Sequence, residues 1–398
     1  MLARLLVPRS WDHSRPWGGR SPRHLVIPRD VHRSGVWHAL GCQAIQIGAV
    51  LFPAVASGQQ PTTIADPPSC QRCEIVVGPR RLSLVDTAST PLNGFVAAIR
   101  ERVYLAAVRA GAPLAFDRSG RVLRSLGRTG SGPGEFRSSS AFIEGPGDSV
   151  AVYDGPNGRI DVFDRDLRFV RAFPLGQAVV QGGILWLPRG EPFVMSGVRR
   201  SPSEIGYTIH LYAGNGGHVR SIGESRVPFL PSSSGFQMFR LLQPLANDEL
   251  VSVSVSVEGG YSIDIWDLAS GRLRQQWLRK SKWFEVQPGP FPPRVLSART
   301  DSTGVLWILI VLRSPDWEKG ARVRVIGSGR EVERTYEVVD PDLISDSMIE
   351  VVDLRTGQLL AQRRFDQLYA AQLANGLLAA LSREHVGLDL FPVALKGR

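Results

Sequence analysis

The side chains that could support chemistry in this 398-residue chain are few and scattered. Cys70 and Cys73 form a Cys-x-x-Cys pair and the third cysteine is Cys42. Zinc would need two more ligands at suitable spacing, and beyond residue 56 the only histidines are His210, His218 and His385. A thioredoxin-like role would place the pair at the start of a helix in a βαβ unit, whereas Glu74-Ile75-Val76-Val77 reads as a strand. In an oxidising compartment, the reading left for Cys70 and Cys73 is a local disulfide, structural rather than catalytic. Five acids, Asp148, Asp154, Asp248, Glu249 and Asp301, together with Glu101, could face a common channel. If they converged they would hold a hard cation such as calcium and polarise a carbonyl in a lactonase- or esterase-like reaction. Beside strands, however, such acids ordinarily cap turns. The chain has no nucleophile elbow, no P-loop and no metal-binding His pair. Thr129-Gly130-Ser131-Gly132 joins two strands and opens no helix, so a phosphate-cradling role is not expected of it.

A second kind of chemistry is recognition. Trp283, Phe284 and Trp317 lie in the two longest stretches outside the regular pattern, roughly 279–300 and 313–347, together with Arg294, Arg299 and Lys319. Loops of that length are uncommon without a role. Aromatic faces and cationic tips there would make a ligand-binding lid, or would cover apolar strand surface.

The elements that must position these residues come from a repeat. Leu114-Ala115-Phe116-Asp117-Arg118-Ser119-Gly120-Arg121-Val122-Leu123 reads as strand, Asp/Gly turn, strand. The pattern returns at Asp161 to Phe173, Ile209 to Gly223, Ile263 to Leu273 and Glu350 to Leu360. Successive copies lie about 50 residues apart, the spacing of a propeller blade, except that the fifth carries an insertion at 313–347. Each hairpin follows an apolar run (Arg102 to Ala107, Asp148 to Asp154, Pro192 to Ser196, Glu249 to Val255, Val305 to Val311) that reads as the inner strand of its blade. A sixth unit, Gly376 to Leu395, ends without an outer strand, and Glu74 to Val85 is the segment available to supply it. The expected fold is all-β, a six-bladed β-propeller of four-stranded antiparallel blades closed by an N-terminal strand.

Between the first two copies lies Gly127-Arg128-Thr129-Gly130-Ser131-Gly132-Pro133-Gly134-Glu135-Phe136. This stretch is similar to the glycine-rich signature of NHL-type repeats. The region from Glu74 to Leu395 resembles secreted bacterial six-bladed propellers of the NHL and TolB-like kind. The resemblance implies a fold and a binding scaffold, since such folds carry many unrelated tasks.

The chain holds 47 basic and 37 acidic residues, a formal charge of +10, and only Lys280, Lys282, Lys319 and Lys396 of the basic residues are lysine. Seven of the arginines lie in residues 1–56, and in the rest arginines alternate with acids rather than forming blocks. Nucleic-acid binding, which needs an aromatic-interleaved basic stripe, is therefore not expected. Arg33, the apolar run over 39–56 and Ala54-Val55-Ala56 together read as a secretory signal, which leaves no stable membrane span after cleavage. The expected organisation is an upstream extension with signal at 1–56, a linker at 57–73 and the propeller at 74–398. The expected protein is a periplasmic or extracellular monomer that binds a protein, glycan or small ligand on one face. It would use no cofactor, and calcium only if the hydrolase alternative holds.

Overall fold

In the computed structural model, residues 61–398 are described, apart from 87–89, 101, 109, 177, 188–192, 200, 202–205, 225–239, 255–259, 285–290 and 327–332. The proposed signal and Glu101 lie outside the described residues.

Six small antiparallel sheets are arranged as a six-bladed propeller. Blade 1 is Leu92–Ile99, Val103–Val108, Leu114–Phe116 and Val122–Ser125. Blade 2 is Ser139–Glu144, Val150–Asp154, Arg159–Phe163 and Phe169–Pro174. Blade 3 is Ala178–Trp186, Phe193–Arg199, Tyr207–Tyr212 and His218–Glu224. Blade 4 is Arg240–Pro244, Glu249–Ser254, Gly260–Asp267 and Arg272–Lys280. Blade 5 is Arg294–Thr300, Val305–Arg313, Ser345–Asp353 and Gln358–Phe365. Blade 6 is Ala371–Gln372, Leu377–Leu381 and Gly387–Lys396, and the N-terminal strands Glu74–Val77 and Leu82–Val85 both pair antiparallel with its last strand. The ring is thus closed by the N-terminal segment, and the edge left by blade 6 is covered.

The first strand of each blade neighbours the first strand of the next, including blade 6 with blade 1. The apolar runs expected to be innermost are therefore the second strands. The true inner strands are the less apolar segments before them. The physical reason is burial on two faces: in Val150–Asp154 every residue is buried, whereas Ser139–Glu144 is mostly half-exposed. A second strand packed between two neighbouring blades buries both faces, which favours apolar residues, and one lining the channel need not.

The core is divided among the blade interfaces. Leu306, Ile308 and Ile310 join the cluster shared with blade 4, while Val305, Trp307 and Leu309 of the same strand join the one shared with blade 6. This is the two-residue period of a strand, which sends alternate side chains to opposite faces. No blade has a core of its own, so each is stabilised by its neighbours.

The turns follow the sequence pattern. Asp117, Asp164, Asp301 and Asp353 each accept a hydrogen bond from the backbone N–H two residues on. The Gly127–Phe136 stretch docks onto blade 2: Gly134 N–H donates to Asp161 at 3.0 Å, and Arg159 donates to the Ser131 carbonyl at 2.6 Å and to those of Gly132 and Glu135. Gly127 has φ +85°, and a Cβ there would lie 2.0 Å from the Gly134 carbonyl oxygen, so only glycine fits. The stretch is a blade connector.

The segment expected as a linker at 57–73 carries structure. Thr62–Ile64 adds to the outer strand of blade 4 in parallel, opposite Trp277, Leu278 and Arg279. The chain then crosses blade 5, where Ser69 donates to the Leu359 carbonyl from both N–H and hydroxyl, before joining blade 6. Cys70 and Cys73 are disulfide-bonded within this strap. No helix among the described residues is long and apolar enough to cross a membrane.

Candidate functional site

A cleft of about 360 Å³ opens where blade 4 hands over to blade 5. One wall begins at the end of the outer strand of blade 4, where Lys282–Phe284 forms a single 3-10 turn closed by Phe284 N–H to the Ser281 carbonyl at 2.9 Å. The turn divides its two aromatic residues. Phe284 is buried against Tyr261 in the interface core, and Trp283 is left to line the cleft. Phe291, Pro292 and Pro293 continue this wall into the inner strand of blade 5. Phe291 has φ +64°, a left-handed conformation that is strained for a bulky residue.

The other wall is the insertion. After Arg313 the chain makes a short helical turn, Trp317–Gly320, then a hairpin of Ala321–Ile326 and Glu333–Val338 that forms a two-stranded sheet of its own. The sequence places the insertion at 313–347, and it runs between the strand ends Arg313 and Ser345. Its base is tied down by Ser314 N–H to the Ile344 carbonyl at 3.0 Å. It is also tight at Gly320, where a Cβ would lie 2.7 Å from the Asp340 carbonyl oxygen. Trp317 stands edge-on to Tyr336 at 5.8 Å, and the Arg313 guanidinium lies 5.4 Å from its ring centre. Arg364 completes the lining, held by Asp346 at 2.7 Å. Since Arg294 pairs with Val311, the blade-to-blade connection and the insertion leave blade 5 at the same end.

Beneath Trp283 lies a buried ionic network. The Arg279 guanidinium, 5.9 Å from the Trp283 ring, donates to Glu350 at 2.7 Å and to Asp66 at 2.6 Å, and Tyr261 donates to Glu350 at 2.6 Å. Burial pushes the Glu350 carboxyl up from its ordinary value, opposed by Arg279 and Tyr261. The hydrogen bond from Arg279 holds Asp66 below the usual carboxylate value. Asp66 also accepts from the Ser281 hydroxyl at 3.0 Å, so the N-terminal strap reaches the turn that carries Trp283.

The residues singled out from the sequence divide as follows. Trp283 and Trp317, 34 positions apart, line one cleft. Phe284 is core. Arg294 begins the inner strand beside Pro293, with its guanidinium pKa lowered by burial. Lys319 points to solvent and pairs with Asp316 at 2.7 Å. Arg299 lies 5.3 Å from the Trp307 ring. Phe291, Arg313 and Arg364 were not singled out. The Phe-Pro-Pro run was the only available hint for Phe291, and nothing local marked the two arginines.

The acids of the hydrolase alternative are engaged within the blades. Asp148 pairs with Arg100 and with Arg102, the latter at 3.5 Å. Asp154 is fully buried and accepts from Arg137 N–H at 2.9 Å and Asn157 Nδ2 at 2.7 Å. Asp248 is exposed on a turn, and Glu249 pairs with Arg274. Asp301 accepts from Thr303, Val305 and Trp307 Nε1. Among the described residues no three or more His, Cys, Asp or Glu side chains cluster as a metal site. Asp154 and Glu249 lie at strand ends, and Asp148, Asp248 and Asp301 in the turns beside strands.

No protein-family model matches the chain, and neither does any curated protein. Among solved structures, a presumed exported protein from Bacteroides fragilis is similar at 11% identity over 85% of this chain and 99% of its own, with TM-score 0.49. A DUF4221 family member from Bacteroides vulgatus is similar at 9% identity, 83% and 99% coverage, with TM-score 0.47. BamB from Moraxella catarrhalis is similar at 14% identity, 74% and 83% coverage, with TM-score 0.37. The six-blade assignment rests on the sheet topology described above.

Proposed function

We propose that this propeller is an exported binding scaffold without catalysis of its own, and that it captures its ligand in the cleft between Trp283 and Trp317. The observation that carries this reading is the meeting of two indoles, three prolines and two guanidiniums in one concavity, with the indoles supplied by the blade 4 to blade 5 connection and by the insertion. Indole faces stack on flat apolar surfaces, and guanidiniums recognise carboxylate oxygens. A ligand, or the end of a larger one, that joins a ring to a carboxylate matches this lining. Aromatic acids and uronic-acid sugars both qualify. The Cys70–Cys73 disulfide supports an oxidising location such as the periplasm or the extracellular space.

The test is a tryptophan-fluorescence titration of the full chain with oligogalacturonate and with phenylacetate, each beside its neutral amide or methyl ester. Saturable quenching by an acid, lost in Trp317→Ala, supports the site. Quenching that survives in both Trp283→Ala and Trp317→Ala, or no quenching by either acid, overturns it.

A further inference from the structure

The outer strands of blades 1 to 4 share a feature that neither the cleft nor the fold requires. In blades 1, 2, 3, 4 and 5 a bulge follows the same position of the outer strand: Val122 opposite Phe116, Phe169 opposite Phe163, His218 opposite Tyr212, Leu273 opposite Trp266 and Leu359 opposite Val352. Around that position the first four blades expose aliphatic or aromatic residues between basic ones. Blade 1 reads Arg121-Val122-Leu123-Arg124, blade 2 Arg168-Phe169-Val170-Arg171, blade 3 His218-Val219-Arg220 and blade 4 Arg272-Leu273-Arg274. Of the ten large hydrophobic residues exposed among the described residues, six lie on these four strands, with Leu123 51%, Val170 56% and Val219 58% exposed. Singly scattered apolar residues are normal on a surface, but six gathered at one position of four outer strands are a concentration that keeping a strand edge from pairing does not require, since charge alone does that.

Blade 5 shows what covers this position. There Leu359 and Leu360 are 2% and 9% exposed, and the N-terminal strap crosses the strand with Ser69 bonded to the Leu359 carbonyl. Ile64 of the strap joins the cluster containing Leu359, and Ile75 joins the one containing Leu360. The acids of the strap pair with arginines of the outer strands it passes, Asp66 with Arg279 and Glu74 with Arg363 at 3.1 Å. The covering segment is thus an extended polypeptide bearing aliphatic and acidic side chains.

We infer that the outer edges of blades 1 to 3, which no described strand covers, are a docking surface for an extended acidic and aliphatic segment of a partner protein, laid across the rim as the chain's own strap is laid across blades 4 to 6. Charge is complementary: the outer strands of blades 1 and 2 contain no acid, and that of blade 3 ends in its only one, Glu224. Shape decides against a membrane. Six blades share a full circle, so each turns the rim by about 60°, and no flat surface meets three consecutive edges. Aliphatic side chains add nothing to a sugar-phosphate chain, which would call for stacking aromatics.

The test uses the full chain and a fluorescein-labelled peptide alternating Glu and Val, beside the same peptide with Lys for Glu, followed by fluorescence anisotropy. The expected result is saturable, salt-weakened binding of the Glu peptide, with at least tenfold weaker binding of the Lys peptide. The rim variant Leu123→Ser/Arg124→Glu/Phe169→Ser/Val170→Ser should weaken binding at least tenfold, and the cleft variant Trp317→Ala should leave it unchanged. Because these four side chains are exposed, an unaltered melting curve is expected for the rim variant. If that variant melts earlier, the pair Arg124→Glu/Arg168→Glu replaces it. No binding, equal binding of both peptides, or binding that the rim variants leave intact overturns the inference. Self-association of the full chain that the rim variant abolishes also overturns it, because a second copy would then be the occupant.

Discussion

Arg279 and Glu350 meet at 2.7 Å with side chains 1% and 0% exposed, binding the outer strand of blade 4 to the third strand of blade 5. The contact crosses a blade interface, and its guanidinium also faces the Trp283 ring and the strap residue Asp66. Breaking a buried pair strands a charge, whereas replacing both partners removes the desolvation penalty.

Glu350→Gln and Arg279→Met should each lower unfolding free energy by about 3–5 kcal/mol. The double change Arg279→Met/Glu350→Leu should recover much of that loss. Urea denaturation of the three variants checks this, and a double variant as unstable as the two single losses combined would show that the pair does not act as a unit.

Ring closure by the N-terminal strands gives a second expectation. Removing residues 74–85 uncovers the whole Gly387–Lys396 strand, and the shortened chain should aggregate or melt far below the parent. Static light scattering during a thermal ramp reads both outcomes. Coincident ramps would mean that the two strands contribute nothing to the closed ring.

The pH dependence follows from Asp66. Its pKa lies below the ordinary 3.8, chiefly through the hydrogen bond from Arg279, so its folded form prefers the carboxylate. Stability from this group is present above pH 3.8 and is lost as pH falls through the lower folded value. Asp117, Asp267 and Asp353 are depressed as well, so the informative quantity is the difference between parent and variant. Asp66→Asn should be less stable than the parent at neutral pH and approach it below that window. Chemical unfolding across acid pH measures the gap, and a constant gap would contradict the assignment.

The Cys70–Cys73 disulfide closes a loop of four residues, so Cys70→Ser/Cys73→Ser should cost at most about 2 kcal/mol. A larger loss in guanidinium titrations would mean that the disulfide fixes the path of the strap rather than only its local turn.

The hairpins were legible because their signal is local. Asp117, Asp164 and Asp353 cap their turns within two residues, and the strands beside them alternate or run apolar. The inner strands were not, because a channel-facing strand needs no apolar run and the one in blade 6, Ala371–Gln372, is only two residues long. Thr62–Ile64 was missed for a different reason. Its partner strand lies more than 200 residues away, and three residues carry no period of their own. Trp283 and Trp317 were visible as aromatics in long irregular segments, but their meeting, and the placing of Arg313 and Arg364 beside them, belongs to tertiary packing.

The claim that the Trp283–Trp317 cleft is the ligand site is tested most directly by isothermal titration of oligogalacturonate or phenylacetate, whichever quenches the parent, into the parent, Trp317→Ala and Arg313→Ala. The account predicts saturable binding to the parent and at least tenfold weaker binding to both variants, with melting temperatures close to that of the parent. Unchanged affinity in both variants, with the parent binding normally, would contradict it.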